Sequence, residues 1–397
     1  MRTFSIRAGS FLLALSLFAP GRAGSPTPNA APNPAAAAGF DCAFRFASRL
    51  DIDPKDKSAA QEAVVLEYGY YVSPDEALKR ADLVDGWRRG VVYAETAILL
   101  ARAGRVDEAR VVLAKAEAYR QTVTGWQNPR IASHIGAGYA VLGDLAAADR
   151  MSALLAPTDR QYLGRPVSIA ASALASAGDF DGAMARLDAL APEKDEDIAW
   201  WRARGYVDVA QAPRLSAEQR LKALRAAQAA AAAIPGWRRM EALLAVAKEY
   251  AAIGRPIDAR PVLESAERLA GVQSAQALPV KGPLLAEIAR GWARAGDPAR
   301  AGKLLAEGEK AAEVAMNIEQ PAIDADLAAG YWVAGDPADA ARLYDRALTR
   351  AEALENARPR ALAVVEICRS IGREAVPMTP ATRARLDALY AGLKDPW

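Results

Sequence analysis

Glycines recur at a nearly fixed spacing through most of this chain, and each of them interrupts a stretch with helical periodicity. Successive glycines are separated by 39, 35, 76, 42, 39 and 37 residues, and the longest step corresponds to two periods. They are Gly104, Gly143, Gly178, Gly254, Gly296, Gly335 and Gly372. Within the double step, Ala210–Gln219 supplies a proline-containing turn instead. A fixed period of this size is the signature of a solenoid, so the sequence predicts about eight helical hairpins over residues 87–376.

The residues around each glycine explain why one helix would end there and another begin. Glu241–Ala252 reads as an amphipathic helix, and Gly254 can end it in the left-handed conformation that costs other residues energy. Several of these glycines are followed by Asp or Arg and then by proline, whose fixed φ suits the first turn of a helix. One hairpin cannot bury both of its faces, so neighbouring hairpins must stack. Abundant alanine, the best helix former, also favours an all-α fold.

The pattern resembles the tetratricopeptide repeat, most clearly in the seventh unit. The large apolar, aromatic, turn-glycine and small packing residues of that family are matched there by Leu327, Tyr331, Gly335, Ala340, Tyr344, Ala347 and Leu348. Most units of this chain are longer than the family's repeat of about 34 residues. The resemblance implies a right-handed α-solenoid whose concave groove binds a peptide or a partner protein.

The N-terminal segment has the features of an export signal. Residues 1–23 combine a basic start, a short apolar core and small residues before a cleavage point near Ala23. Residues 24–39 are rich in proline and alanine and are predicted to form a disordered linker. The sequence therefore predicts an exported protein, located in the bacterial periplasm or secreted.

Helical caps are predicted on both sides of the repeats. Residues 40–86 are expected to be helical and to cover the N-terminal end of the array, with Ser73 and Glu76 forming a capping box. Residues 377–397 are expected to supply a final helix that covers the C-terminal end.

Charge and hydropathy argue against two classes of protein. The formal net charge is +2, and loss of the signal with its three arginines leaves 2 − 3 = −1. A balance this close to neutral does not suggest a nucleic-acid-binding protein. Beyond the signal, no stretch approaches the roughly 20 continuous apolar residues of a transmembrane helix, so we expect no membrane-spanning segment.

An aromatic residue recurs in one phase of the first five units, and arginines follow it closely. Trp87, Trp126 and Trp237 each follow a glycine and lie 17 residues before a turn glycine, while Tyr162 and Trp200 occupy nearly the same phase. We call this set, with its arginines, the aromatic–arginine ladder. Its predicted partner-binding residues are Trp87, Arg89, Trp126, Arg130, Trp200, Arg202, Arg204, Trp237 and Arg238.

The ladder has two interpretations. Trp and Arg are enriched at binding hot spots and arginine binds carboxylates bidentately, so the first is a surface for a protein or peptide partner, including an acidic one. In the second, each aromatic residue packs on the start of its helix as a hydrophobic staple, covered by arginine stems. Residues 200–239 also carry eight bases and two acids, 8 − 2 = +6, which fits either an anionic partner or a solvated helix face.

Few residues could support metal or catalytic chemistry. His134 is the only histidine, and Cys42 and Cys368 are the only cysteines. No nucleophile motif or phosphate-binding glycine loop accompanies them, so the sequence predicts no metal, cofactor or catalytic residue. A disulfide needs α-carbons within about 7 Å, which an extended array would not provide, so buried free thiols are expected. A superhelix that closes on itself would instead bring the cysteines together.

Two functions fit these observations. The favoured interpretation is an exported interaction scaffold that binds a peptide or partner protein in the concave groove. The alternative is an exported carbohydrate-active enzyme or glycan-binding protein built on helical hairpins, and the enzyme would need two carboxylates about 5–10 Å apart. Facing carboxylates in a closed cavity would favour the enzyme, whereas an open groove lined by Arg and Trp would favour the scaffold.

Overall fold

The computed structural model describes residues 33–50, 53–155, 157–190, 195–271 and 278–394. Across these ranges the chain forms nineteen α-helices and one short 3-10 helix, without a β-strand. The all-α fold predicted from the sequence is confirmed. The predicted signal peptide and the first part of the predicted linker lie outside the described residues.

The helix boundaries follow the turn residues of the sequence. In chain order the α-helices are α1 (Pro34–Ala47), α2 (Pro54–Tyr71), α3 (Pro74–Ala81), α4 (Arg88–Arg102), α5 (Val106–Gln121), α6 (Gln127–Val141), α7 (Leu145–Ala153), α8 (Gly164–Ala177), α9 (Phe180–Asp188), α10 (Glu196–Ala210), α11 (Ala217–Ala232), α12 (Gly236–Ala252), α13 (Pro256–Gly271), α14 (Leu278–Arg294), α15 (Pro298–Glu313), α16 (Gln320–Ala334), α17 (Pro337–Glu352), α18 (Ala357–Arg373) and α19 (Pro380–Ala391). The 3-10 helix, Pro157–Tyr162, lies between α7 and α8.

Consecutive helices pack against each other as hairpins from α4 onward. In the described part of the chain the pairs are α4/α5, α6/α7, α8/α9, α10/α11, α12/α13, α14/α15 and α16/α17. The first helix of each hairpin also packs against the first helix of the next hairpin, whereas the second helices do not approach each other in this way. The first helices therefore form an inner layer and the second helices an outer layer, which is the arrangement expected of a curved helical repeat.

Most of the predicted turn glycines end their helices as expected. Gly104, Gly254 and Gly335 have φ values of 79°, 76° and 88°, in the left-handed region that favours glycine. The irregular fourth turn uses side chains instead. There the Ser216 hydroxyl and the Gln219 side chain form a reciprocal capping box at the start of α11.

Gly372 does not form the last turn that its spacing predicts. It lies inside α18, which ends at Arg373, and the left-handed residue that follows the helix is Ala375, with a φ of 51°. Gly372 is required for packing, because a Cβ atom there would lie 2.9 Å from the ring of Phe40. The turn therefore comes three residues later than the spacing suggests, at the cost of a left-handed alanine.

The first described helix packs against the last inner helix and closes the array into a ring. Helix α1 lies along α18, and α18 also contacts α2, which contacts α4. The contact between α1 and α18 is close enough to need glycine, because a Cβ on Gly39 would lie 2.6 Å from the backbone nitrogen of Gly372. Within the described residues the inner layer is thus an unbroken ring of α2, α4, α6, α8, α10, α12, α14, α16 and α18.

The terminal helices, which were predicted to cap the two ends of the array, lie where those ends meet. Helix α19 packs against α17 through an Arg385–Asp345 ion pair of 2.6 Å. It also packs against α1 through an Arg45–Asp387 ion pair of 2.7 Å. The summed curvature of the repeats brings these ends together, and their apolar faces bury each other.

The predicted linker is also shorter than expected, because helix α1 begins inside it. The Asn33 side chain accepts hydrogen bonds from the first backbone amides of α1, and Pro34 occupies the first helical turn. Alanines follow, and Phe40 and Phe46 are fully buried against the rest of the ring. Helix formation here depends on the apolar surface that α18 and α2 provide, which a linker prediction from composition does not consider.

The described helices also address the membrane prediction. None of them combines the length and the apolar character that crossing a bilayer requires.

Candidate functional site

The N-terminal part of the ladder forms one compact cluster. The rings of Trp87 and Trp126 meet edge to face, with their centroids 5.3 Å apart. The guanidinium groups of Arg88 and Arg130 lie over the Trp87 ring at 4.7 and 4.9 Å. Both arginines bind the carboxylate of Glu62 on α2, which is 1% exposed, and the Arg130 contact is 3.1 Å. The single carboxylate of Glu62 balances one of these two positive charges, so part of the charge expected to attract an acidic partner is compensated within the protein.

The other charged members of the ladder are also paired within the protein. Arg202 donates to Asp188 at 3.2 Å and Arg204 donates to Asp208 at 3.2 Å. Arg238 forms an ion pair with Asp197 and lies 5.7 Å from the centroid of the Trp237 ring. The Arg202 and Arg238 contacts join neighbouring helices, whereas the Arg204–Asp208 contact lies within α10. Such internal pairing is expected of the staple interpretation.

The tryptophans of the ladder differ in exposure. Trp126 is 59% exposed, whereas Trp200 is 6% exposed and packs edge to face on Trp201 with centroids 4.7 Å apart. Trp87 and Trp237 are half-buried. The ladder is therefore not a continuous exposed stripe, and its role as a partner surface stays a prediction that now centres on Trp126.

Arg89 belongs to a recurring structural contact that the sequence pattern did not reveal. Its Nε donates to the carbonyl oxygen of Val84 at 2.9 Å, at the end of the preceding turn. Arg239, in the corresponding position, donates to the carbonyl oxygen of Ile234 at 2.7 Å. Asn128, Gln320 and Arg360 make equivalent contacts with Val123, Ala315 and Leu354. These side chains fix the entry of five inner helices, α4, α6, α12, α16 and α18, by binding a carbonyl near the end of the preceding helix.

His134 lies on the inner layer beside two charged groups. Its Nδ1 contacts the Glu95 carboxylate of α4, which also binds Arg165 of α8. Burial favours the protonated form of Glu95, but Arg165 and His134 outweigh burial and lower its pKa to about 2. Burial lowers the pKa of His134, although Glu95 opposes this effect. The cluster is an ionic contact between three inner helices, with no hydroxyl or thiol among its members.

A polar cavity lies on the inner side of α12, α14, α16 and α18. It contains about 600 Å³ of atom-free space, part of which is open to solvent. Charged side chains from all four helices line it: Lys248, Glu287, Arg290, Arg294, Asp326, Arg373 and Glu374. Leu244, Gly291, Ala329 and Ser370 complete the lining.

Only part of this charge is paired inside the protein. Arg290 binds Glu287 and donates to the backbone oxygen of Asp326 at 3.1 Å. Arg373 lies 3.8 Å from Glu67. Among the described residues, no ion-pair partner lies within 4.0 Å of the side chains of Lys248, Arg294, Asp326 and Glu374. Two cations and two carboxylates therefore face the cavity without a direct partner.

Two carboxyl groups of the cavity have pKa values displaced in opposite directions. Burial raises the pKa of Asp326 to about 6, although Arg373 and Arg290 partly oppose it. Burial acts in the same direction on Glu287, but the adjacent Arg290 outweighs it and lowers the pKa to about 2. At neutral pH Glu287 is fully ionised, whereas Asp326 titrates close to the physiological range.

Helix α12 adds two more perturbed groups on one face. Burial and the nearby Arg294 lower the pKa of Lys248 to about 7. Burial raises the pKa of Glu241 to about 8, against the attraction of Arg238 and Arg204. These residues are seven positions apart and therefore lie about two turns from each other on the same side of the helix. Lys248 lines the cavity, and a perturbed group in such a place is typical of functional sites, whereas Glu241 lies outside the lining residues.

The cavity does not suggest a metal centre. In the described ranges no three His, Cys, Asp or Glu side chains are grouped so that they could hold a metal ion. The arginines and the lysine could instead hold anionic groups, and the free carboxylates could hold a cationic group.

The sequence interpretation missed this site, since all of its candidate binding residues belong to the ladder of the first five units. One signal was present, because Asp324 and Asp326 interrupt the otherwise apolar helix α16. Asp324 is fully buried and binds Arg346 of α17 at 2.7 Å, whereas Asp326 faces the cavity. The sequence alone cannot tell which of two neighbouring aspartates faces the centre of the ring.

No protein-family model matches the chain, and no curated protein matches it significantly.

Proposed function

We propose that this protein binds a short peptide carrying both an acidic and a basic group in the cavity between α12, α14, α16 and α18. The observation that carries the proposal is the set of four cavity side chains, two of each sign, that lack an ion-pair partner within 4.0 Å among the described residues. The proposal retains the scaffold function predicted from the sequence, with the binding surface moved from the ladder to the centre of the ring.

The cations of the cavity suit a carboxylate of the peptide. Arg294 presents a planar guanidinium that can bind both oxygens of a carboxylate. Lys248 lies one inner helix away, and a bound anion would favour its protonated form. Together they provide one end of a site for a peptide's C-terminus or acidic side chain.

The free carboxylates suit an amine of the same ligand. Asp326 and Glu374 come from the next two inner helices, so the cationic and anionic groups are distributed across the cavity. A protonated amine would lower the pKa of Asp326 and bind its ionised form. A ligand with charges of one sign only would leave half of these groups without a partner.

Burial makes such pairing energetically useful. Charged groups removed from water without a partner are costly, so a ligand that supplies the missing counter-charges recovers part of that cost. The side chains are mounted on packed helices and lose little further freedom on binding. Leu244 and Ala329 offer apolar surface for the rest of the peptide.

Calorimetry with the folded chain and a panel of free tripeptides tests the proposal. We expect binding by peptides with free termini, and a loss of about tenfold or more when the N-terminus is acetylated or the C-terminus is amidated. Arg294→Gln and Asp326→Asn should weaken binding by a similar factor. Arg268→Gln, on the exposed side of α13, is the matched control. If no peptide binds, or if both cavity variants bind as the wild type does, the proposal fails.

A glycan-cleaving function is the second candidate, and one observation favours it. Glu287 and Asp326 stand on neighbouring inner helices, and their pKa values of about 2 and about 6 resemble the division between an ionised carboxylate and a general acid. Hydrolysis of a peptidoglycan or other polymeric glycan would then be lost in Asp326→Asn and retained in Arg268→Gln. Absence of glycan turnover by the wild type would favour peptide binding.

The proposal includes the finer predictions on fold and location. We infer a right-handed array of about eight tetratricopeptide-like hairpins, in which α1 takes the outer position beside α18. The predicted signal would export the chain to the periplasm or the cell exterior, where free peptides are available. Fractionation of cells that express the full chain would test the location.

A further inference from the structure

The two cysteines of the chain meet where the ring closes. Cys42 lies on α1 and Cys368 lies on α18, and their Sγ atoms are 3.0 Å apart although 326 residues separate them in sequence. Both thiols are buried, with 9% exposure for Cys42 and none for Cys368. No other cysteine exists in the sequence that could compete for either partner.

The packing around the thiols keeps them together. One turn from Cys42 and Cys368, Gly39 and Gly372 bring the two helix backbones into direct contact. Phe40 is fully buried in the same interface. The sulfur atoms are therefore held as neighbours by two rigid elements, which gives each thiol a high effective concentration toward the other.

We propose that Cys42 and Cys368 form an intramolecular disulfide that joins α1 to α18 and locks the ring. Both cysteines are buried free thiols in the structure, as expected from the sequence, but the closed ring removes the separation on which the argument against a bond rested. The bond would close a loop that contains nearly the whole folded chain. With the bond in place, α1 could move away from its neighbours but could not separate from α18. The disulfide would therefore oppose the local unfolding that opens the ring.

The oxidation is a thiol–disulfide exchange with a disulfide-bearing carrier such as glutathione disulfide. The Cys42 thiolate attacks one carrier sulfur, and the other carrier sulfur leaves as a thiolate. Cys368 then loses its proton and attacks the Cys42 sulfur of the mixed disulfide, releasing the second carrier thiolate. The two protein protons end on the two carrier thiols, so one carrier disulfide is reduced for each protein disulfide formed.

The surroundings of the two thiols assign these roles. The hydrogen bond from Cys368 lowers the pKa of Cys42, and Arg45 adds to this effect, whereas burial opposes it. Burial raises the pKa of Cys368 well above its ordinary value. Cys42 is also the more exposed thiol, so it is the one that a carrier can reach first.

The test starts with the full chain, fully reduced and then equilibrated in glutathione buffers from reducing to oxidising. Free thiols are trapped with a maleimide after denaturation, and the products are mapped without reduction. We expect labelled thiols to fall from two to none, a monomer lighter by two hydrogen atoms, and one linked peptide containing both cysteines. A parallel sample is refolded from denaturant in the same buffers, because the folded ring shields Cys368.

Formation of the disulfide in either the folded sample or the refolded sample supports the proposal. The proposal is overturned if both the folded and the refolded sample keep two labelled thiols in a buffer that oxidises a control dithiol protein. It is also overturned if glutathione adducts or linked dimers are the main product. The locking role is read from hydrogen exchange of α1, which should slow by on the order of tenfold on oxidation. In a Cys42→Ala/Cys368→Ala variant the same buffers should leave that exchange rate unchanged. Equal rates in oxidised and reduced wild type would refute the lock.

Discussion

Arg369 donates hydrogen bonds to both carboxylate oxygens of Glu67, at 2.9 and 2.8 Å, across 302 residues of sequence. The pair links α18 to α2, and its side chains are 0% and 4% exposed. Arg369 also binds Glu366 of its own helix at 2.6 Å. A buried ion pair of this kind carries a large desolvation cost, so its effect on stability depends on keeping both partners.

The first prediction concerns this pair. Glu67→Gln should lower the free energy of unfolding by about 3 kcal/mol, because it removes a buried counter-charge from Arg369. Urea unfolding monitored by circular dichroism measures the change. Asp387→Asn breaks the solvent-exposed Arg45–Asp387 pair at the same junction and should cost less than about 1 kcal/mol. Equal losses in the two variants would mean that the Arg369–Glu67 contact does not support ring closure.

The second prediction concerns the glycine contact between α1 and α18. Gly39→Ala should destabilise the protein by about 1–3 kcal/mol, although alanine is the better helix former, because the new Cβ would meet the Gly372 backbone at 2.6 Å. Gly302→Ala is the matched control within α15, where an added Cβ meets nothing within 4 Å. That variant should gain up to about 1 kcal/mol. Stabilisation of both variants would contradict the close approach of the two helices.

Local features of the fold were predictable from the sequence, but ring closure was not. The glycine at position 335 ends α16 because its left-handed conformation is a local property, and the proline at position 337 begins α17 for the same kind of reason. Closure depends instead on the small rotation between successive hairpins, summed over the whole array. No single residue determines this summed rotation. The sequence therefore predicted caps on two ends of the array that meet in the structure.

The site depends on closure in the same way. Lys248 and Asp326 lie two inner helices apart and line one cavity only because the array curves. The ladder was visible as a sequence period, but the period does not distinguish the exposed Trp126 from the buried Trp200. That difference arises from a neighbour, Trp201, which packs on Trp200 and occurs in one unit of the ladder. Sequence periodicity therefore predicts the repeat better than it predicts the surface.

The third prediction separates a structural role of Arg89 from a role in partner binding. Arg89→Met removes the hydrogen bond to the Val84 carbonyl and should cost about 1.5–3 kcal/mol of stability. Arg110→Met breaks an exposed contact with Asp107 on α5 and should cost less than about 1 kcal/mol. Thermal or urea unfolding of the two variants compares them directly. A fully stable Arg89→Met protein would return Arg89 to the list of candidate partner contacts.

The fourth prediction concerns pH and begins with Glu241. Its pKa is raised from 4.5 to about 8, so between these values the folded chain holds a proton that the unfolded chain releases. The stability linked to this proton is present below about pH 4.5 and is lost as the pH rises toward 8. Glu241→Gln keeps a neutral group at every pH. Its unfolding free energy relative to the wild type should therefore increase between about pH 5 and pH 8, by at most about 1.4 kcal/mol per pH unit.

Lys248 provides a control of opposite sign on the same helix. Its pKa falls from 10.5 to about 7, so the unfavourable charged form is present in the folded chain below pH 7 and lost above it. The free energy of unfolding of Lys248→Met should therefore exceed that of the wild type by the largest amount below about pH 7. This difference should become smaller as the pH rises toward 10. Urea midpoints of both variants across about pH 5 to pH 9 give the two trends. Parallel trends, or none, would show that these two groups of α12 are not desolvated, because desolvation shifts an acid and a base in opposite directions.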